Sequence, residues 1–269
     1  MKEEKVRKMV REGYGKIAKA EKNGCGCGCG SNISQQVGYS RTELNAVPEG
    51  ADLNLGCGNP VALASLKPGE VVVDLGSGGG LDCFLAARKV GEKGRVIGVD
   101  MTAEMLDKAR ANCKKGGYRN VEFRLGEIEN LPVADNTANV VISNCVVNLS
   151  PNKKRVFREA FRVLKPKGRL MISDLVLLKA IPEDVKESVL AYVGCIAGAE
   201  IKADYVKMIG EAGFREVEVV EETRYPLELN LNDSTAKSIV KELKLTRKRA
   251  EELASSVVSI KVSAKKPNS

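Results

Sequence analysis

The stretch VVVDLGSGGGLD, residues 71–82, limits what this chain can fold into more than any other. Val71, Val72, Val73 and Leu75 predict a buried strand, and LDCFLAARKVG directly after the glycines predicts a helix. A strand tied to a helix by so short a turn opens a parallel sheet, because parallel neighbours need a crossover connection. The alternation continues through the strands RVIGVD, NVEFRLGE, ANVVISNCVV and GRLMISDLVLL, with TAEMLDKARANCKKGG, capped by Thr102, and KKRVFREAFRVLK as helices. EDVKESVLAYVG and ADYVKMIGEAG read as further helices, and REVEVVEET as a late strand. A charged helix near 234–253 leads into VVSIKVSAKK, a last strand placed to close the sheet antiparallel. The expectation is an α/β, Rossmann-like fold: a mostly parallel seven-stranded sheet, helices on both faces, and an antiparallel last strand.

Upstream, residues 2–22 carry an amphipathic helix pattern through Val6, Met9, Val10, Tyr14 and Ile17. GCGCGCG, residues 24–30, breaks it and brings Cys25, Cys27 and Cys29 together. SRTE at 40–43 fits a capping box, and Asn59-Pro60 fits an N-cap followed by proline at the first helical position. Three segments result: an N-terminal helix with a Cys/Gly-rich tail over 1–30, a central domain over 31–225, and a C-terminal helix with the closing strand over 226–269.

Composition removes several function classes. Net charge is +8, but the basic residues are spread along the chain and read as solvated helix faces. Tryptophan is absent and aromatic content is 4%, which argues against stacking platforms for single-stranded nucleic acid. No run of about 18 apolar residues exists, and the charged start lacks an apolar core segment, so a cytoplasmic protein that engages neither membrane nor nucleic acid is expected. Eight cysteines in a reducing compartment point to soft-ion binding or catalysis rather than a disulfide scaffold. Histidine is entirely absent, so a soft-ion site here must rest on sulfur.

The glycine turn carries specific chemistry. A dinucleotide fingerprint needs a third glycine where Leu81 stands; the pattern present is D-x-G-x-G-x-G, from Asp74 through Gly76, Gly78 and Gly80. A carboxylate so close to the loop repels a pyrophosphate and suits a cofactor end bearing a cationic amine. Asp100, ending the second strand, is placed to accept both hydroxyls of a ribose. These residues resemble the first motifs of class I S-adenosylmethionine methyltransferases. The resemblance implies that fold and S-adenosylmethionine as cofactor. It also implies Met101 beside the adenine, Glu127 and Ile128 at the adenine edge, and Ser77 and Asn144 in the same cofactor set.

Three further thiols stand out by position: Cys57 in LGCGNP, Cys145 after the fourth strand, and Cys195 in YVGCIAGA. Cys57, between two glycines, has little packing value, whereas Cys83 and Cys113 on helices read as core residues. The segments LNAVPEGADLNLGCGNPVALASLKPGE, ISNCVVNLS and AYVGCIAGA resemble the arsenite S-adenosylmethionine methyltransferases, over roughly residues 31–225. That resemblance implies that Cys57, Cys145 and Cys195 bind trivalent arsenic, that arsenite and methylarsenite arrive as thiol complexes, and that thioredoxin or glutathione supplies reducing equivalents. It matches the composition, because three thiolates satisfy a soft, pyramidal ion whose lone pair needs no general base. Two alternatives stay open: a small-molecule C- or O-methyltransferase with structural cysteines, and a metalloid-sequestering protein. For Cys25, Cys27 and Cys29, alternate side chains of an extended stretch share one face. They are expected to form an auxiliary site that captures arsenite and hands it on by thiol exchange; the contrary reading is an inert, glycine-rich tail.

Overall fold

The computed structural model describes residues 3–19, 33–188, 192, 195–224, 242 and 246–268. Cys25, Cys27, Cys29 and most of the expected helix near 234–253 lie outside the described residues. Seven strands, β1 (Val71–Leu75), β2 (Arg95–Asp100), β3 (Val121–Leu125), β4 (Ala138–Asn144), β5 (Leu164–Leu177), β6 (Arg215–Arg224) and β7 (Val257–Lys265), form one sheet in the order β3-β2-β1-β4-β5-β7-β6. The first five pair in parallel, and β7 runs antiparallel between β5 and β6. The chain order reverses beside β1, with β2 on one side and β4 on the other. This opens a crevice at the carboxyl ends of these strands, where such sheets bind ligands.

Strand periodicity sorts the core. Val73 and Leu75 face one cluster with Phe157, Tyr205, Ile260 and Val262. Val72 faces the other, with Phe84, Leu106, Val96 and Ile142. The covering helices are α5 (Leu81–Val90) and α6 (Ala103–Gly116) on the second face, α7 (Lys153–Val163) and α9 (Lys202–Glu211) on the first. Short helices α2 (Ile33–Gln36), α3 (Arg41–Asn45), α4 (Pro60–Leu63) and α8 (Glu183–Glu187), and α10 (Arg247–Ala254), complete the described set with α1 (Glu3–Lys19). A third apolar cluster sits at the carboxyl edge of the sheet. It joins Val6 and Val10 of α1 to Cys57, Cys145, Cys195, Leu175 and Val257.

Local signals explain the helix ends. Ser40 Oγ accepts from Glu43 N at 3.1 Å while the Glu43 carboxylate accepts from Ser40 N at 2.9 Å, completing the capping box of α3. Asn59 Oδ1 accepts from Ala62 N at 2.9 Å at the start of α4. Thr102 takes the N-cap position of α6, but its side chain makes no cap bond. The carboxylate of Asp100 competes for it: Asp100 Oδ1 accepts from Thr102 N at 2.8 Å and also draws the Thr102 hydroxyl. β5 begins at Leu164, directly after α7 and ahead of the expected Gly168, and the β4–β5 register shifts between Ala138 and Val140. Among the described residues no helix is long and apolar enough to cross a membrane.

β7 is an interior strand, so the end of the chain is part of the common core. Ile260 is fully buried within it. Urea unfolding of Ile260→Ala is expected to show a single transition destabilised by about 2–5 kcal/mol, the range for an aliphatic side chain cut back in a core. A loss confined to a minor early transition would mean that β7 is a separable appendage.

Candidate active site: a donor cleft and a thiol cluster

A cleft of about 1040 Å³, counted out to its mouth, opens at the carboxyl ends of β1, β2 and β4. Asp74, Gly76, Ser77, Gly78, Asp100, Met101, Ile128 and Asn144 all line it. The loop needs its glycines for different reasons. Gly76 has φ +69°, and a Cβ there would lie 2.3 Å from Val146. Gly78 has φ +50° and meets nothing within 4 Å, leaving its backbone open to the cleft. Asp100 Oδ2 accepts from Gly78 N at 3.0 Å, which fixes the acid at the end of β2 against the loop.

The electrostatics of this cleft call for a cation. Asp74 and Asp82 are both buried, and among the described residues no lysine or arginine forms an ion pair with either. Burial, with Asp82 beside it, holds the Asp74 carboxyl well above the ordinary range, and burial pushes Asp82 up to about 6. Ser77 Oγ is buried and has no hydrogen-bond partner among the described residues. A ligand bearing an ammonium group and polar acceptors satisfies both features, and the donor set therefore fits S-adenosylmethionine.

Two residues expected in the cofactor set stand elsewhere. Gly80, at φ +95°, opens α5, and a Cβ there would press on Phe84 at 2.6 Å. Glu127 is not among the residues lining the cleft and pairs with α1, 3.4 Å from Arg7 Nε and 3.6 Å from the guanidinium of Arg11. The chain turns there, with Asn130 N bonded to Glu127 O at 3.0 Å, and Glu129 lines the cleft instead. Glu129 is buried and accepts from Ser150 Oγ at 2.7 Å.

Behind the cleft the fold brings three distant cysteines together. Cys57, Cys145 and Cys195 are 3%, 7% and 4% exposed, and all are free thiols. Ligand atoms of Cys57, Cys145 and Asp174 lie within 4.8 Å of one another. The Cys195 thiol donates to the Cys145 carbonyl at 3.0 Å, and the Cys145 sulfur is in contact with the thiols of both Cys195 and Cys57. The glycines flanking Cys57 allow close approach: a Cβ on Gly56 would lie 2.6 Å from the Asn144 amide, and one on Gly58 2.5 Å from Ser173 Oγ. Cys57 N then donates to Asn144 Oδ1 at 3.1 Å, and Cys57 O accepts from Ser259 Oγ at 2.8 Å. Cys145 and Cys195 hold φ +59° and +63°, left-handed backbone that a side chain occupies only under constraint. Cys83 and Cys113 stand apart. Cys83 is fully buried on α5 and donates to Asp74 Oδ2 at 3.2 Å, and Cys113 is half-buried on α6.

Comparison with known proteins agrees with this geometry. Residues 66–213 match the family model described as a methyltransferase domain. The arsenite methyltransferase of Halobacterium salinarum is 50% identical over 230 residues, 80% of this chain and 59% of that protein. Human arsenite methyltransferase is 32% identical over 228 residues, with the same two shares. The crystal structure of an arsenic(III) S-adenosylmethionine methyltransferase from Chlamydomonas reinhardtii superimposes with a TM-score of 0.62 and 31% identity, covering 88% of this chain and 73% of that one. The chain belongs to the arsenite methyltransferase family. It spans 59% of the length of the halobacterial and human relatives.

In this family member the thiols are held protonated in the absence of a ligand. Burial raises Cys57. The bond Cys195 gives to Cys145, together with burial, raises Cys195. In Cys145 that same bond pulls down, but the bond it gives to Cys57 and its burial win. Asp174 was not legible as a site residue. It is fully buried, with Oδ1 accepting from Asn148 Nδ2 and Leu175 N at 2.9 Å each, and Oδ2 from Tyr205 at 2.9 Å. The signal available in sequence was a carboxylate inside the otherwise apolar run of β5. Burial outweighs the three hydrogen bonds and pushes its carboxyl up to about 7.

A raised carboxyl stabilises the fold when protonated. Its contribution is complete below the ordinary carboxylate range and is lost as pH rises through about 7. Thermal unfolding between about pH 5 and pH 8 should therefore show a shallower fall in stability for Asp174→Asn than for the parent protein. The slope is reduced and not abolished, because Asp74 and Asp82 act in the same direction. Parallel curves would refute the burial account of Asp174.

Proposed function

We propose that this protein transfers methyl groups from S-adenosylmethionine to trivalent arsenic held by the thiolates of Cys57, Cys145 and Cys195. The observation that carries the reading is the convergence of three buried free thiols beside the donor cleft, two of them on left-handed backbone. Left-handed backbone at two of three converging thiols fits residues held for a ligand, although turn residues such as Ser65, Lys167 and Glu216 adopt it as well. A C- or O-methyltransferase with structural cysteines leaves it unexplained.

In this reading Asp74 and Asp82 take the ammonium end of the cofactor, and Asp100 takes the ribose. Gly76, Ser77 and Gly78 lie along the ligand, and Met101 and Ile128 flank the adenine. Once bound, S-adenosylmethionine supplies an electrophilic sulfonium methyl, to which an arsenic lone pair can be joined with no proton to remove. That fits a chain without histidine.

The thiols load arsenite without a base. Each As–S bond formed breaks one As–O bond, and the thiol proton leaves with the hydroxide as water. Thiols held protonated are therefore competent, and three of them release three waters. The apolar surroundings, among them Val6, Val10, Leu149 and Ile181, exclude bulk water from the loaded ion. Fixing donor and acceptor at ~3–3.5 Å can contribute ~7–11 kcal/mol toward the barrier. Methylation raises the formal oxidation state of arsenic by two. A thiol reductant of the thioredoxin or glutathione class therefore belongs in the cycle; where arsenite or methylarsenite is delivered as a thiol complex, each protein thiol displaces one carrier thiol, which leaves with the proton in place of water. Free thiols in every described cysteine suit a cytoplasmic setting and a role in arsenic detoxification.

Incubation with S-adenosylmethionine, a thiol reductant and arsenite, followed by arsenic speciation, tests the reading. Methylated products are expected; bound but unmethylated arsenic would select sequestration, and no interaction would select another acceptor. Cys145→Ser and Cys195→Ser should abolish methylation of both arsenite and methylarsenite. Cys57→Ser should lose the first step and keep part of the second, because methylarsenite needs only two thiolates. Equal loss on both substrates would show that Cys57 is not the dispensable third ligand.

Asp100→Ala removes charge-assisted bonds to a ribose, worth ~1.5–3 kcal/mol. Calorimetry should register weaker S-adenosylmethionine binding by roughly ten- to a hundredfold. Unchanged affinity would remove Asp100 from the cofactor site.

A further inference from the structure

α1 lies outside the stretch matched as a methyltransferase domain, and yet Arg7, Val10 and Tyr14 form one wall of the donor cleft. Ion pairs fasten the helix at both ends. Arg7 Nε lies 3.4 Å from Glu127 and 3.5 Å from Glu129, and Lys19 pairs with Glu104 at 2.8 Å. Val6, just ahead of the first anchor, and Val10, between the two, sink into the apolar cluster that holds the three site cysteines, and Tyr14 packs on it. The Tyr14 hydroxyl donates to the Cys195 sulfur, near Cys145 and Asp100. Tyr14 thus stands at the boundary between the cleft and the thiols.

The bonding of the Cys195 sulfur changes when it becomes a ligand. As a thiol it can donate to Cys145, and its sulfur lies 3.0 Å from the Cys145 carbonyl. A coordinated thiolate has no S–H, so it donates nothing. The bond that it accepts from Tyr14 survives, and grows stronger as the sulfur gains charge. We propose that Tyr14 is a positioning residue of the methyl-transfer site: its hydroxyl holds the loaded Cys195 sulfur toward those of Cys145 and Cys57, and its ring walls the junction of thiols and donor cleft off from water. The proposal rests on the reading that these cysteines bind trivalent arsenic.

Two substitutions separate the two roles. Tyr14→Phe keeps the ring and removes the hydroxyl. Its arsenite dissociation constant, by equilibrium dialysis with elemental detection of arsenic, and its KM for arsenite should both rise about tenfold or more, as for a lost bond to a charged group. Its melting temperature, kcat and calorimetric affinity for S-adenosylmethionine should stay at parent values. Tyr14→Leu removes the ring as well, and should lower kcat in addition. A Phe variant that binds arsenite as the parent does overturns the role of the hydroxyl. One that loses S-adenosylmethionine affinity to the same degree shows a merely structural part and also overturns it. An unchanged kcat in the Leu variant overturns the role of the ring. A parent protein that binds no arsenite removes the functional reading itself, an outcome separate from all of these.

Discussion

The side-chain amide of Asn144 joins the two halves of the site. Its Oδ1 accepts from Cys57 N, and its Nδ2 lies within hydrogen-bond distance of Tyr39 Oη, Gly58 O and Asp82 Oδ2 at 2.8, 2.8 and 3.1 Å. Tyr39 in turn donates to Asp82 Oδ1 at 2.6 Å. One amide thereby fixes the segment that carries the first thiol to the helix start that carries an acid of the donor cleft. The next residue in the chain is Cys145. The end of β4 therefore delivers one thiol directly and a second through a hydrogen bond. Even a half-buried amide is costly to leave unpaired, and here both its oxygen and its nitrogen are used.

The two halves ask for opposite kinds of ligand. On the cleft side, buried carboxyls lack a cation and shift toward the neutral form. On the far side, protonated thiols sit among aliphatic side chains beside the neutral-leaning Asp174. A cationic donor and an uncharged, soft acceptor each relieve the strain of their own half, and neither is suited to the other. The site sorts its two ligands by charge.

Much of this was legible in the residues. Strand and helix periodicity gives the seven strands, and the D-x-G-x-G-x-G turn with Asp100 gives the cleft, because both are local in sequence. Cys57 was legible through its glycines, which prove necessary for close backbone approach to Asn144 and Ser173. Other parts were not. Tyr14 lies on the apolar stripe of an amphipathic helix, and that pattern does not say which buried surface the helix meets. Asp174 lies within an apolar run, where its partners Asn148 and Tyr205 come from distant elements. Glu127 and Glu129 flank Ile128 in a turn, where no period assigns a face. The left-handed backbone of Cys145 and Cys195 leaves no trace in composition at all.

The last strand has a consequence for how the site comes into being during synthesis. β7 threads between β5 and β6, and its Ser259 holds the backbone of Cys57. While the ribosome is still making the C-terminal segment, the cysteines at 57, 145 and 195 have already been made, but the sheet edge that gathers them is incomplete. The backbone of Cys57 therefore gains its bond from Ser259 only once β7 has docked. A nascent chain keeps these thiols apart in sequence, and they meet only when the strand that completes the core has docked.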